Sequence, residues 1–391
     1  MLEMNKMMTV REIWEKLILL FNFNDIKTYN ISSLNDSNKQ IKKAIDLFLN
    51  EKDDIKRKIY QIIVEDTYHD ETYCEILNYF EKVSAYHYSM ERWNTLTTLF
   101  ISNGLFRLGL ICRQKAESAI ELKHSKKYIY KNIIVCIENG DLDKAQDLLK
   151  KIDKKPFNSF SEIKLLKEYL KIINGKTSFV NNDLNYKNFL QGKKAKIIGP
   201  LLNEKDCKSE IEDEIIIRNN VKVDQKETIN ISYYNYEGFE KIKKDLGLLA
   251  KKLDYIVVKA VCGRINQYQN VHRLDHWYKI LFLGDANMLP MMILDLRKHG
   301  IENIAVWGNN LFCSKKIHSS DYMFGNNENY KYMRSLAAHD MISNFKIMKR
   351  MYLAGIISVD PILRDVLDLS LEEYIEEMEK IHGIRVKQSN E

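Results

Sequence analysis

The sequence predicts an all-α, repeat-like N-terminal domain followed by a C-terminal α/β domain built on a mostly parallel sheet. Three observations predict it. The chain has no proline before Pro156, and up to about Gly175 its apolar residues recur at helical spacing. Towards Gly192 the composition then turns to Asn, Lys and Ser, as in a linker. From Lys193 onward, short apolar runs alternate with amphipathic segments, the pattern of strands covered by helices on both faces. The expected boundaries are 1–180 for the helical domain, 181–192 for the linker and 193–391 for the α/β domain.

The helical part opens on Ile13, Leu17, Leu20 and Phe21, which lie on one helical face interrupted by Arg11, Glu12, Glu15 and Lys16. That reads as a first helix and not as a targeting peptide. A second apolar face runs through Ile41, Ala44, Ile45, Leu47 and Phe48. Asn103-Gly104 and Asn139-Gly140 each precede a further apolar-periodic segment, spaced close to a tetratricopeptide period of roughly 34 residues. Stacked helical hairpins of that kind dock a protein partner, and a plain helical bundle is the equal alternative. His69-Asp70-Glu71 and Tyr86-His87-Tyr88 are dense in chemistry, but consecutive residues cannot share one helix face, and both read as packing.

In the second half, KKAKIIGP running into a turn at Gly199-Pro200, EIIIRNN (Glu214–Asn220) and TINISYY (Thr228–Tyr234) read as strands, and Tyr255–Val258 as a fourth. One helix is expected over Gly238–Lys252 and another over Asn287–His299, stopped by Gly300. Asn303–Trp307 and Ile356–Val359 are the last strands. Pro361–Leu367 and Ser370–Ile381 are closing helices, the second starting with a capping box of Ser370 and Glu373.

Composition bounds the function. The chain is 45% hydrophobic and 29% charged, with no apolar run near the length of a membrane span. Six cysteines far apart, with no CxxC, predict reduced thiols, a cytoplasmic setting and no zinc site. A net charge of +6 without a concentrated basic stripe argues against nucleic acid. It leaves nucleotide phosphates, or peripheral contact with the inner face of an anionic membrane, as partners for the basic surface.

The stretch from Asn303 to Asp360 holds the chemistry. A buried strand ends at Gly308, a long tyrosine-bearing loop follows, and a helix starts beside His339 before the chain returns as a strand. Strand, loop, helix and strand make a Rossmann-like half-unit, whose ligands bind at the carboxyl ends of the strands. At a helix start the exposed N–H groups disfavour an imidazolium, so His339 is expected to be neutral, as a general base must be. Helix capping is the plainer alternative. The loops expected to hold a nucleotide are Gly199, Pro200 and Asn203, then Arg218 and Asn219, then Asp285, Ala286 and Asn287 at a helix start, then Gly308 and Asn309.

From Lys193 to about Asp360 these motifs resemble the bacterial sialyltransferase-like glycosyltransferases. KIIGPLLNE resembles that family's first nucleotide loop, Arg218-Asn219 its second motif, and GDANMLP its motif against cytidine and phosphate. Gly308–Phe312, Ser319–Phe324 and His339-Asp340 resemble its catalytic half. The chain departs in three places: one glycine in the first loop, Asp285 where small hydroxyl residues are common, and Phe312 where many members carry tyrosine. The resemblance implies a metal-independent, cofactor-free inverting transferase. It would move an acidic sugar of the sialic-acid or Kdo type from a CMP donor to a glycan or glycoconjugate. His339 would be its base and Tyr322 the donor to the departing phosphate, with Tyr330 and Tyr332 in reserve. Two rivals stand beside it: another nucleotide-binding enzyme, which the lack of GxGxxG disfavours, and a non-catalytic helical scaffold.

Overall fold

The computed structural model describes residues 45–46, 53–65, 67–120, 126–153, 161–176, 183–202, 211–224, 228–259, 268–274, 280–316, 319 and 336–384. The chain forms two compact units, Met1–Asn78 and Tyr79–Glu391. In the first, α1 (Asp53–Ile63) carries Lys58, which pairs with Asp54 at 2.7 Å and with Glu75 at 2.6 Å. The helix expected around Ile13–Phe21 lies outside the described residues. Of the one around Ile41–Phe48, only Ile45 and Asp46 are described, and both are helical.

The second unit begins with the end of α2 (Asp70–Lys82) and continues through α3 (Met90–Ser102), α4 (Phe106–Ser118), α5 (Lys126–Asn139), α6 (Leu142–Asp153) and α7 (Ser161–Ile173). Asn103-Gly104 and Asn139-Gly140 make the turns after α3 and α5, as their sequence suggests. The segment read as a linker contains α8 (Leu184–Leu190), capped by Asp183, whose side chain accepts from the N–H of Tyr186. Tyr186 and Leu190 are buried, so the polar composition marks the outer face of this short helix.

Seven parallel strands follow: β1 (Lys194–Ile198), β2 (Glu214–Asn219), β3 (Ile231–Tyr234), β4 (Tyr255–Lys259), β5 (Val271–Leu274), β6 (Ile304–Trp307) and β7 (Ser358–Val359). Their order is β5-β4-β3-β2-β1-β6-β7, so the winding reverses between β1 and β6. The inner strands read as apolar runs because both faces are covered. On one face, α9 (Tyr236–Ile242) and α10 (Leu246–Lys252) set Phe239, Ile242, Leu246 and Leu249 against Ile198, Ile216, Tyr234, Ile256 and Val258. The sequence suggested one helix here; the chain breaks it at Lys243–Asp245, while apolar spacing continues through the break.

On the other face, α11 (Met288–Lys298) reaches the sheet through Asp295, which accepts from the buried hydroxyl of Tyr233 on β3. Beside it runs α12 (Met341–Leu353), and α13 (Pro361–Asp368) and α14 (Leu371–His382) close the unit. The capping box of Ser370 and Glu373 is formed. Helices α4, α5 and α7 pack on α14, α12 and α11, making a further helical layer. Strand β5 was not expected from the sequence: it is an edge strand whose VHRL exposes Arg273 and spends a second position on His272.

Candidate functional site

The carboxyl ends of β1 and β6 lie side by side where the winding reverses, the place where open parallel sheets accept ligands. Gly199 follows β1 and Gly308 follows β6, and they touch. A Cβ added at Gly199 would collide with the carbonyl of Gly308, and one at Gly308 with the side chain of Leu202. The N–H of Leu201 donates to Gly308 at 3.1 Å, and the N–H of Gly308 donates to the carboxylate of Asp360 at 2.7 Å. Close backbone approach, expected toward a nucleotide, is here approach of one loop to the other.

The neighbouring polar residues are used in the same way. Arg218 is 1% exposed, and its guanidinium donates to the carbonyl of Leu202 at 3.1 Å, bracing the first loop from beneath. Pro200 accepts from the N–H of Ser319 at 2.6 Å. Asn309 and Asn310 turn back on their own loop, accepting from the N–H groups of Leu311 and Phe312 at 2.9 and 3.1 Å. Those bonds hold Leu311 and Phe312 in the left-handed region, with φ of 48° and 69°. Asn219 ends β2, paired in register with Tyr233.

The segment before α11 is sewn to the segment before α12. The N–H of Asp285 donates to Ala338 at 3.1 Å, and that of Asn287 to the side chain of Asn344 at 2.9 Å. Asp285 is exposed, Ala286 is buried and Asn287 is the N-cap of α11, with no side-chain bond closing that helix end. The first N–H groups of α11 are therefore not capped by their own residue.

His339 stands against this turn. Its Nδ1 lies 3.3 Å from the carbonyl oxygen of Asp285. A carbonyl can only accept, so Nδ1 carries the proton and Nε2 of the neutral ring keeps the lone pair. Burial, reinforced by the ammonium of Lys259 at the end of β4, pushes the His339 pKa down to about 4. Neutrality was expected from the helix start, and it arises differently. The N-cap is Asp340, one residue later, with φ of 44°.

Asp340 belongs to a buried ion cluster that spacing along the chain does not reveal. Arg113 on α4 is fully buried and donates to Asp340 at 2.8 Å, to Glu138 on α5 at 2.7 Å and to Glu117 at 2.8 Å. Asp340 also accepts from the N–H of Leu283 at 2.8 Å and caps α12 at Ser343. Glu138 accepts from the N–H of Phe282 at 3.3 Å, and the Arg113 guanidinium lies 3.9 Å from the centre of the Phe282 ring. Lys131 on α5 donates to the carbonyls of Leu281 and Phe282. The helical layer thus fixes both segments that carry Asp285 and His339. Burial pushes the carboxyl of Glu138 up, against the pull of Arg113.

A second cluster was also missed. His272 on β5 lies between Asp183, at 2.9 Å from Nδ1, and Asp295, at 3.3 Å from Nε2. His299 directs Nδ1 at the backbone carbonyl of Asp295, 2.8 Å away. Despite the burial penalty, the two carboxylates push the His272 pKa up to about 9. The one available sequence signal was Asp295 and His299 at the i,i+4 spacing of a helix face.

Tyr322, Asn203, Tyr330 and Tyr332 lie outside the described residues. A cavity of about 380 Å³ is lined by Lys222, Val223, Asp224, Lys241, Ile242 and Asp245, none of which was expected in the site. Among the described residues, no helix is long and apolar enough to cross a membrane. Cys112 and Cys136 are buried, whereas Cys74 is exposed. Compared with protein-family models, curated proteins and solved structures, the chain matches none of them.

Proposed function

We propose that the chain is an inverting glycosyltransferase of Rossmann-like architecture that moves an acidic sugar from a CMP donor to a glycan or glycoconjugate, without a metal in the transfer step. The observation that carries this is His339: a neutral histidine with a defined tautomer, packed against the turn before α11. The cytidine and acidic-sugar assignment is supported by the motif resemblance from Lys193 to Asp360.

In this reading the donor's phosphate lies toward the N-terminal N–H groups of α11, where partial positive charge favours an anion. Lys259, near enough to lower His339, adds a cation on that side. The acceptor hydroxyl gives its proton to Nε2 of His339, and its oxygen attacks the anomeric carbon. The bond from that carbon to the phosphate oxygen breaks, and CMP departs with the electron pair. Tyr322 supplies the hydrogen bond to the leaving phosphate, a contact that counts because charge grows there in the transition state. A pKa near 4 keeps His339 unprotonated at neutral pH but makes it a weak base. The negative charge of bound donor raises it toward neutrality, so the base strengthens when substrate is present.

A thermal-shift comparison of CMP, UDP, GDP and NAD at equal concentration tests the reading. A ligand bound only by the folded chain stabilises it by about 2.7 kcal/mol at a hundred times its Kd. CMP is expected to give the largest shift, and Asp285→Asn to increase it by removing an exposed carboxylate from the phosphate's side. Equal shifts from all four would discard the cytidine assignment. No shift from any would favour the scaffold reading, for which the interlocked Gly199 and Gly308 loops and the buried Arg218 speak.

A further inference from the structure

We propose that His272, Asp295 and His299 form a structural site for one divalent first-row transition-metal ion, of zinc type. One ring nitrogen of each histidine and one carboxylate oxygen of Asp295 all lie within 4.8 Å of one another, and all three residues are buried. Nε2 of His272 is 3.3 Å from Oδ1 of Asp295, while His299 commits Nδ1 to the backbone carbonyl of Asp295 at 2.8 Å and so has Nε2 to offer an ion. Charge-assisted N–H···O⁻ bonds are shorter, about 2.7–2.9 Å. Two ligands on a tetrahedral zinc, each at about 2.0–2.1 Å, stand about 3.3 Å apart. The spacing of His272 and Asp295 is therefore that of neighbouring ligands more than that of a tight ion pair.

The surroundings of the three residues are those of a metal site. A ligating histidine ordinarily ties its second nitrogen to a carboxylate or carbonyl, which fixes the ring and its tautomer. Nδ1 of His272 is held in that way by Asp183, at 2.9 Å. The ring is further fixed by Tyr186, stacked on it with centroids 4.1 Å apart and planes 16° apart. The second oxygen of Asp295 accepts from the hydroxyl of Tyr233 at 2.8 Å, leaving Oδ1 for the ion. Tyr233 in turn meets the hydroxyl of Tyr186 at 2.9 Å. Two nitrogens and one carboxylate suit zinc and its neighbours better than magnesium or calcium, which prefer all-oxygen shells. The two carboxylates, Asp183 and Asp295, match the charge of one divalent ion. Asp183 is the only partly exposed member, with its side chain 27% exposed, and marks the way in. The bound ion joins β5 to α11, and through Asp183 to the start of α8. It takes no part in the transfer reaction, whose residues are different ones.

The full-length chain is stripped with a chelator, then titrated separately with Zn²⁺, Co²⁺ and Mg²⁺. Elemental analysis is expected to give one zinc per chain, and Co²⁺ the visible absorption of a tetrahedral nitrogen–oxygen site without thiolate charge-transfer bands. Zn²⁺, but not Mg²⁺, is expected to raise the melting temperature. His299→Gln removes one ligand and is expected to weaken zinc by more than a hundredfold. Asp183→Asn, which disturbs only the orientation of His272, is expected to weaken it 10–100-fold. Cys74→Ser is expected to change nothing. Sub-stoichiometric uptake by the stripped wild type, a thiolate cobalt spectrum, or zinc affinity unaltered in both Asp183→Asn and His299→Gln would each overturn the site. If His299→Gln does not fold, the wild-type stoichiometry and cobalt spectrum together with Asp183→Asn still decide.

Discussion

At the scale of single residues, His339 makes the sharpest forecasts. Its pKa in the folded chain is about 4, below the ordinary value of 6.5. The unfolded chain therefore binds the proton more readily, and the neutral ring stabilises the fold above pH 6.5. That contribution is lost as pH falls from 6.5 toward 4, and is at most about 3 kcal/mol, less the screening its half-buried ring receives. Following the ring by NMR should give a midpoint near 4 in the free chain. Lys259→Met should raise it, and saturating CMP should raise it further; a midpoint that ignores CMP would separate His339 from the nucleotide. His339→Ala should lower turnover on the order of a hundred to ten thousand-fold while leaving CMP binding almost intact. A variant that is destabilised but fully active would leave His339 with a structural role alone. The neutral state was legible in the sequence; its cause was not. Lys259 precedes His339 by eighty positions, and only the parallel sheet brings β4 to that edge.

Among the elements, α4 and α5 carry the interaction whose loss should be felt most. Arg113 balances Glu138, Asp340 and Glu117 in a space without solvent. Removing one partner of such a cluster strands the others, at a cost of about 3–5 kcal/mol. Arg113→Met should show this in urea melts, by a lower midpoint at unchanged slope. A change under about 1 kcal/mol would mean the carboxyl groups protonate and tolerate its loss. The inner strands were legible because III and YIVV are apolar on both faces, and α14 because Ser370 and Glu373 sit at the capping spacing. Strand β5 was hidden by the polar positions His272 and Arg273. The Arg113 cluster was hidden because its partners are scattered from position 117 to 340.

Over the whole molecule, Tyr79–Glu391 is one compact unit, although its sequence changes character midway. Composition reports which residues face solvent, and the Asn-rich surface of α8 resembles a linker while Tyr186 is buried beneath it. Helices α4 and α5 and the sheet side share the Arg113 cluster. Loss of helical ellipticity and loss of tyrosine and tryptophan near-ultraviolet signal are therefore expected to coincide on heating, and to shift together in Arg113→Met. Two separated transitions, with Arg113→Met shifting only the helical one, would show that the helical layer unfolds by itself.

The reversal of winding between β1 and β6 also dictates the order in which the sheet can be completed. Ala195 pairs with Ile304, so β1 must wait for a partner synthesised long after β2–β5. During that interval β1 is an edge, with a row of unpaired backbone groups open to any passing strand, including one from a neighbouring nascent chain. Its KAKII sequence alternates lysine with apolar residues, and charged side chains are a common protection of exposed edges. Once β6 arrives, Lys196 is buried with its ammonium 3.9 Å from the centre of the Trp307 ring. Lys196→Leu should accordingly leave the finished fold intact while lowering the soluble yield on refolding at high protein concentration.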